Sequence, residues 1–471
     1  MDIMIIVGII LIISVLSCKL TIKTGLPVLV GFILIGIFLG NFIRFEEFSR
    51  AEEICSIALL FIIFTGGFQT NFKHVKPVLA VSSIMASLGT FLTSGIAALF
   101  AHFVLGLEMY AALLLGAVIS CTDAASVFSI LSSKKLNLKN NLGSILEMES
   151  GSNDPFAYML TVVFITLASG GSQNVAVLLL MQITIGAAVG FAIAKLGQRM
   201  LNRLRLEIDG LHAVLLGGVV LLIYGMAGAL GGNSFLAVYI GGMVLGNSKL
   251  VYKMYLSRLF GSLSMMMQIS LFIVLGVLWI PSTFIAVLPV GLAFAAFMFF
   301  VARPAVVYLM MKPFKYTAKE AALVSWAGFR GAASIAFSTY ILSAGLPYGE
   351  YIFSVVFIVC LLSVILQGSL LSPLAKRLDL VDPEEKKLKP IEDYVKEVHN
   401  ELLELEIQPG SYACGKGVLE TGLPEDIFVV MIKRGGKYIA PSESTKIAEN
   451  DTLVIACPDK NKIKAMSNFV G

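Results

Sequence analysis

The sequence predicts an all-α polytopic membrane protein with a small α+β domain at its C-terminal end. Of the 471 residues, 57% are hydrophobic and only 14% are charged, and the mean hydropathy is +0.87. Soluble domains have fewer apolar residues, and about a quarter of their residues are charged. About thirteen apolar stretches reach the roughly 20 residues that a helix needs to cross a hydrocarbon core. After about residue 376 the long apolar stretches end and shorter runs begin.

Short connections separate the predicted spans, so each apolar stretch is read as one helix. The first is interpreted as a retained helix, because it lacks a basic region before its apolar run and other spans follow it. We place the spans near 2–18, 25–43, 51–70, 77–105, 109–132, 142–169, 173–197, 211–230, 234–248, 258–280, 283–311, 318–343 and 349–374.

Basic residues are concentrated in alternate loops, and this asymmetry predicts the orientation of the chain. The opposite set of loops has only Arg44 and Arg50. By the positive-inside rule the N-terminus is outside and the C-terminus is cytoplasmic, which requires an odd number of spans. We therefore expect a multi-pass protein of the cell inner (plasma) membrane. The basic loops lie at 19–23, 73–76, 134–139, 195–205, 249–258, 312–319 and 376–377.

The chain after the last span divides into two parts. Residues 383–406 are highly charged and have a helix-like pattern, and beyond them turn signals separate short apolar runs that are typical of strands. The predicted domains are therefore a transmembrane domain at 1–376, a charged helical linker at 377–406 and a regulatory domain at 407–471.

Several function classes are excluded by composition. The net charge of +4 is small and the basic residues are spread along the chain, so the sequence has no basic patch that would bind nucleic acid. The six cysteines are scattered without a metal-binding or disulfide spacing. We find no arrangement of a nucleophile with a base. We expect no enzyme activity, no cofactor, and no metal beyond a transported monovalent cation.

Four predicted spans carry polar or ionisable groups at mid-membrane depth, where a charge is costly and needs a reason. The fifth span has Thr122 and Asp123 near its middle, and the twelfth has Arg330 between two glycines. The sixth and eleventh spans supply the others, which are Glu149, Ser150, Asn153, Asp154 and Arg303.

Asp154 is the candidate carrier site that a proton and a cation would share. It lacks a sequence-adjacent cation and lies beside hydroxyl and amide groups. A carboxylate taken out of water holds its proton more tightly, so a proton and a small cation can compete for it near neutral pH. Oxygens of Asp123, Ser150 and the Thr122 carbonyl would complete a shell suited to Na⁺, Li⁺ or K⁺. Asn153 adds no second titrating carboxylate, so we expect one proton per cation.

Each of these groups also has a structural interpretation. Thr122 and Asp123 can cap a helix at a break. Glu149 and Arg330 are expected to form a buried ion pair, because a lone arginine at the membrane centre costs roughly 2.5–3.5 kcal/mol on insertion scales. Arg303 lies nearer one end of its span, where it either extends toward water or offsets the charge of a helix end.

The order of the spans predicts an internal inverted repeat. Spans four to six and eleven to thirteen are seven crossings apart, so the two triplets run in opposite directions across the bilayer. The middle span of each triplet is rich in small residues and has a polar interruption. Broken helices that cross near the midplane are typical of inverted-repeat transporters.

Three segments together resemble the NhaP-type branch of the monovalent cation:proton antiporter superfamily: CTDAASV, ESGSNDPFA and GFRGAASIAFS. The resemblance implies a homodimer in which a six-helix core moves against a dimerisation domain. It assigns the unwound-helix pair to Thr122 and Asp123, the ion-binding aspartate to Asp154 and the preceding asparagine to Asn153. Its acid–arginine pair corresponds to Glu149 and Arg330. An asparagine–aspartate pair implies electroneutral exchange.

The C-terminal segment resembles the TrkA-C domain of potassium-conductance regulators. Such domains pair as dimers and in some cases bind a small ligand such as cyclic di-AMP. The candidate ligand residues are Arg434, Tyr438 and Pro441, which can equally stabilise turns. A tail of this kind also favours K⁺ as the substrate.

The predicted function is secondary active antiport of H⁺ against K⁺ or Na⁺, electroneutral and one to one, regulated by the C-terminal domain. A potassium channel is disfavoured because the chain has no TVGYG-like run. A symporter of a small solute, driven by H⁺ or Na⁺, remains the alternative, since broken helices serve that class of transporter as well.

Overall fold

The computed structural model describes residues 8, 11–17, 28–41, 48–133, 136–171, 173–204, 208–382, 401–408, 410–418, 428–435, 437–439, 441 and 445–457. The chain forms two compact units, Met1–Pro383 and Glu384–Gly471. Most of the predicted linker, residues 383–400, lies outside the described part. Residues 8 and 11–17 of the predicted first span are helical.

The first unit is built from helices in the order that the hydropathy pattern predicts. The first half comprises α1 Val28–Leu39, α2 Phe48–Gln69, α3 Lys76–Phe103, α4 Met109–Ile119, α5 Ala124–Ser133, α6 Leu142–Ala168 and α7 Val175–Arg203. The second half comprises α8 Asp209–Ala229, α9 Ser234–Gly246, α10 Lys253–Val277, α11 Pro281–Phe314, α12 Ala318–Trp326, α13 Ala332–Ser343 and α14 Gly349–Arg377.

The all-α membrane fold class is confirmed. Over the described residues, seven helices are long and apolar enough to cross a membrane, and further apolar helices are shorter. The predicted number of thirteen crossings stays a prediction.

Two pairs of short helices are the halves of interrupted spans. The chain leaves the helix between α4 and α5 at residues 120–123, and again between α12 and α13 at residues 327–331. The two breaks meet, because the Asp123 amide donates a hydrogen bond of 2.8 Å to the Phe329 carbonyl. The interruptions predicted in the fifth and twelfth spans are thus confirmed, and they lie against each other.

A matching irregularity precedes each broken span. Helix α3 contains a π-helical turn at Met85–Gly89, and α11 contains one at Met298–Ala302. Such turns are rare and frequently occur at functional sites. A third π-helical turn lies at Ser363–Gln367 in α14 and has no counterpart in α6, so these turns do not test the predicted internal repeat.

Glycines allow α2 and α9 to pack backbone against backbone. A Cβ atom on Gly67 would lie 2.5 Å from the Tyr239 carbonyl oxygen, and one on Gly242 would lie 2.6 Å from the Phe64 carbonyl oxygen. Small residues at such crossings are the usual means of close helix association in membranes. This contact fixes α2 against α9 beside the cavity described below.

The second unit is a four-stranded antiparallel sheet with strand order β1-β4-β2-β3. Its core includes Ile407, Ile432, Leu453 and Ile455. The strands are β1 Glu401–Glu406, β2 Phe428–Arg434, β3 Lys437–Ile439 and β4 Thr452–Cys457.

Strand β1 shows that the helix prediction for the end of the linker was wrong. The segment ELLELE consists of good helix formers. It nevertheless pairs with β4 along its whole length, from Glu401 opposite Cys457 to Glu406 opposite Thr452. The sheet partner satisfies the backbone hydrogen bonds, and this tertiary pairing overrides the local preference.

Candidate functional site

A cavity of about 340 Å³ lies beside the first helix break. The predicted site residues Thr122, Asp123, Ser150 and Asp154 all line it, and Ala332 and Ala333 at the start of α13 border it as well. The breaks and α6 therefore bring residues from distant parts of the sequence to one void. Other lining residues, which the sequence did not single out, are Leu59, Ile62, Ile63, Thr65, Gly66, Gln69, Phe128, Glu147, Gly151 and Ser264.

Asp154 has the environment of an ion-binding carboxylate. Its side chain is 8% exposed, and its Oδ1 atom has no hydrogen-bond partner among the described residues. Pro155 follows it inside α6 and has no N–H to bond the carbonyl of Gly151, one turn earlier. That carbonyl belongs to a residue of the cavity wall, which makes it a candidate oxygen ligand that sequence reasoning missed.

Thr122 is held in place by α6 through three hydrogen bonds. Ser150 Oγ donates to the Thr122 carbonyl at 2.6 Å, and Asn153 Nδ2 donates to the Thr122 hydroxyl at 2.7 Å. The Thr122 amide donates to Asn153 Oδ1 at 3.3 Å. Asn153 is fully buried and fastens the break to α6. The Thr122 carbonyl keeps one lone pair for a cation after it accepts from Ser150.

Asp123 caps helix α5. Its Oδ1 atom accepts from the Ser126 amide at 3.2 Å, and its Oδ2 atom accepts from the Ser126 hydroxyl. The carboxylate also lies against Gly331, the residue before α13, where a Cβ atom would overlap it. Asp123 thus faces the N-terminal ends of two half-helices, both of which carry partial positive charge. The capping interpretation of the Thr122–Asp123 pair is supported, and Asp123 lies on the wall of the same cavity as Asp154.

Replacing Gly331 by Ala is expected to impair exchange, because the new methyl group must displace the Asp123 carboxylate. Overpacking of this kind typically costs about 1–3 kcal/mol. The measurement is cation-dependent proton flux together with the thermal unfolding temperature. Gly95→Ala on α3 is the matched control, because nothing lies within 4 Å of a Cβ atom there. Equal behaviour of the two variants would contradict the proposed contact.

Arg330 bonds the end of a half-helix, not Glu149 as predicted. Its Nη1 atom donates to the carbonyls of Ser120 at 2.8 Å and Cys121 at 2.6 Å, just beyond the last residue of α4. A helix C-terminus carries partial negative charge and unbonded carbonyls, so a guanidinium group is stabilised there. The side chain is 1% exposed. Arg330 therefore holds the broken span together.

The arginine that pairs with Glu149 is Arg303. Its Nη2 atom lies 2.8 Å from Glu149 Oε2, and both side chains are almost fully buried. Room for the guanidinium comes from Gly328, where a Cβ atom would lie 2.6 Å from Arg303 Nε. The π-helical turn that ends at Ala302 inserts an extra residue just before Arg303 and changes the direction in which it points. The position of Arg303 along its predicted span does not reveal this change in side-chain direction.

The candidate ligand residues of the second unit are only partly described. Arg434 forms an ion pair with Asp451, with Nε donating to Oδ1 at 2.8 Å and Nη2 to Oδ2 at 2.7 Å. Arg434 Nη2 also donates to the Lys446 carbonyl at 2.7 Å. This geometry supports the turn-stabilising interpretation for Arg434. Pro441 is half-buried, and the Tyr438 side chain lies outside the described residues.

The ion pair predicts a pH-dependent stability of the sheet. The hydrogen bonds from Arg434 lower the pKa of Asp451 below its ordinary value. The pair therefore stabilises the fold above about pH 4 and loses this effect as the pH falls through the lowered pKa. Asp451→Asn should increase amide hydrogen exchange in β2 and β4 of the full chain at pH 7. The difference from wild type should vanish at low pH.

Glu449→Gln is the control for this experiment, because Glu449 is exposed in the same turn. An Asp451→Asn effect of equal size at neutral and strongly acidic pH would contradict the role of the ion pair.

Comparisons with known proteins agree with this architecture. The family model for the transmembrane sodium/hydrogen exchanger matches residues 7–377, and the TrkA-C domain model matches residues 402–471. The chain is 31% identical to the K⁺/H⁺ antiporter NhaP of Alkalimonas amylolytica, over 96% of this chain and 80% of that protein. It is also 31% identical to the K⁺/H⁺ antiporter NhaP2 of Shewanella oneidensis, over 97% and 81% of the two chains.

A solved structure has a similar fold. The sodium proton antiporter MjNhaP1 from Methanocaldococcus jannaschii superposes with a TM-score of 0.71 and 25% sequence identity. The match covers 80% of this chain and 99% of that chain.

Proposed function

Because the chain belongs to the sodium/hydrogen exchanger family and is a cation:proton antiporter of the NhaP type, we propose that it exchanges K⁺ for H⁺ at Asp154. The observation that carries this proposal is the buried, unpartnered Oδ1 atom of Asp154 on the cavity wall. A buried carboxylate must be protonated or paired with a cation, because an isolated charge is costly there. Proton and cation therefore replace one another at one group.

The choice of K⁺ as the substrate rests on two supports. The two relatives described above are both named K⁺/H⁺ antiporters. The TrkA-C domain, which we propose has a regulatory role, resembles domains of potassium-conductance regulators. The structurally similar MjNhaP1 is described as a sodium proton antiporter, so Na⁺ is the competing substrate.

Exchange at one site also requires access from one side at a time. One turn beyond Asp154, Tyr158 packs edge-on against Phe235 at 4.8 Å between ring centroids and against Tyr340 at 5.5 Å. The Tyr340 hydroxyl lies 2.8 Å from Ser56 Oγ. We propose that this aromatic cluster closes the outer side while the cavity serves the cytoplasmic side. The six-helix core would then move against the dimerisation domain within a homodimer in the inner membrane.

The stoichiometry follows from the groups at the site. Asp154 is the carboxylate proposed to change between the protonated and the cation-bound form, whereas Asp123 caps α5. One proton then replaces one K⁺, and net charge does not cross the membrane.

Purified protein in liposomes tests the proposal. A pH gradient is imposed, and K⁺, Na⁺ or Li⁺ is added in turn, with and without a clamp on the membrane potential. We expect K⁺ to dissipate the gradient to the same extent under both conditions. Dissipation by Na⁺ alone would overturn the choice of cation, and dependence on the potential would overturn the one-to-one ratio. If no cation acts, the symporter becomes the better proposal.

A further inference from the structure

Glu147 is a carboxylate on the cavity wall to which exchange at Asp154 gives no role. It lies on α6, seven residues before Asp154, which is about two helical turns and about 10 Å along the axis. The two side chains therefore project from the same face, and both line the cavity. Glu147 is half-buried, and in the described part of the chain no basic side chain forms an ion pair with it.

The α2 wall of the cavity is apolar at Leu59, Ile62 and Ile63 and becomes open and more polar toward the end of the helix. Gly66 and Gln69 are exposed on α2, and nothing lies within 4 Å of a Cβ atom built on Gly66. Helix α2 ends at Gln69 without a basic residue in its last turn, and its Gly66 carbonyl accepts hydrogen bonds from the Thr70 amide and hydroxyl. Ser264 adds a hydroxyl group to the lining. The side chains of Glu147, Gln69 and Ser264 thus offer oxygen atoms of the kind that monovalent cations prefer as ligands.

The position of Glu147 along α6 indicates where it would lie on the route of a cation to Asp154. Helix α6 begins at Leu142, after the basic loop that predicts the cytoplasmic side, so Glu147 lies between that side and Asp154. At the deeper end of the same void lies the Oδ1 atom of Asp154, which has no hydrogen-bond partner among the described residues.

We propose that Glu147 is a second cation-binding group, which holds the monovalent cation transiently on its way between the cytoplasm and Asp154. The inference rests on the proposed exchange at Asp154 and adds a site to it. A carboxylate at this place raises the local cation concentration within a low-dielectric cavity, and this speeds capture without changing the exchange step itself.

The experiment compares Glu147→Gln and Glu147→Asp with wild type in liposomes of defined orientation. Glu147→Gln should raise the apparent KM for K⁺ on the cytoplasmic side about two- to tenfold at low ionic strength, with kcat nearly unchanged. The rise should shrink in about 0.5 M choline chloride, because salt screens the charge. Glu147→Asp, which keeps the charge, should retain most of the wild-type KM.

Glu350→Gln is the matched control, because Glu350 is an exposed carboxylate at the start of α14. An unchanged KM for Glu147→Gln, or a KM rise that is insensitive to salt, would overturn the proposal. A loss of kcat shared by the Gln and Asp variants would show a purely structural role. If wild type itself exchanges no cation, the proposed function fails. If wild type exchanges K⁺ and only the Glu147 effect is missing, this inference fails alone.

Discussion

Replacing Asp154 by Asn is expected to reduce cation:proton exchange to the level of liposomes without protein. Asparagine has nearly the same size and still forms hydrogen bonds, but it neither titrates nor carries a charge. The variant therefore has no group that alternates between a proton and a cation. Because the Oδ1 atom of Asp154 has no partner to lose within the described residues, the fold should remain intact.

The measurement is proton flux driven by each cation, with protein yield and thermal unfolding recorded for the same samples. Asp379→Asn is the control, because Asp379 is an exposed carboxylate whose ion pair with Lys139 lies at the surface. It should exchange normally. Measurable cation-driven proton movement by Asp154→Asn would show that another group carries the ions.

Direct binding separates a carrier role from a positioning role. At a pH at which the cation-free protein holds a proton on Asp154, wild type should release about one proton for each K⁺ bound, since both compete for one carboxylate. Asp154→Asn should release no proton at any K⁺ concentration. Proton release that persists in this variant would place the titrating group elsewhere, with Asp123 and Glu147 as the remaining carboxylates of the cavity.

The helix breaks and four of the cavity residues, Thr122, Asp123, Ser150 and Asp154, could be predicted from the sequence because they depend on local chemistry. Ser120, Thr122 and Asp123 interrupt an apolar span with groups that bond the backbone, and their counterpart is a pair of glycines around Arg330. A polar interruption at mid-membrane depth requires protein partners, so two such interruptions are expected to meet. The hydrogen bond between the Asp123 amide and the Phe329 carbonyl is that meeting point.

The partners of the buried arginines could not be predicted, because depth in the membrane does not fix the direction of a side chain. In the predicted arrangement of spans, Arg303 and Arg330 both lie at a depth from which they can reach Glu149. The π-helical turn before Arg303 and the space at Gly328 decide which arginine meets Glu149. The 3.6-residue periodicity of apolar residues reveals neither the π-helical turn nor the space at Gly328.

The second unit shows a similar limit. The segment at Glu401–Glu406 has helical propensity, and only its distant partner β4 makes it a strand. Glu147 was missed because its local sequence gives no signal at all. It lies in a region of the sequence rich in charged and polar residues, where nothing marks it, and its importance depends on the void beside it.

Replacing Arg303 by Met is expected to destabilise the protein by about 3–5 kcal/mol, the usual cost of leaving one member of a buried ion pair without its partner. Methionine fills similar volume, so the effect reports the charge more than the packing. Glu149, which is 1% exposed, would then keep an uncompensated charge. The thermal unfolding temperature and the fraction of monodisperse protein in detergent are the measurements.

The double variant Arg303→Met with Glu149→Gln identifies the partner. If Arg303 and Glu149 form the pair, the second substitution should recover most of the stability lost in the first, since the double variant buries no unpaired charge. Arg330→Met should also destabilise the protein, because the carbonyls of Ser120 and Cys121 lose their donor. Glu149→Gln should give this variant no such recovery, because Arg330 bonds carbonyl groups. Recovery of Arg330→Met but not of Arg303→Met would restore the pairing first predicted from the sequence.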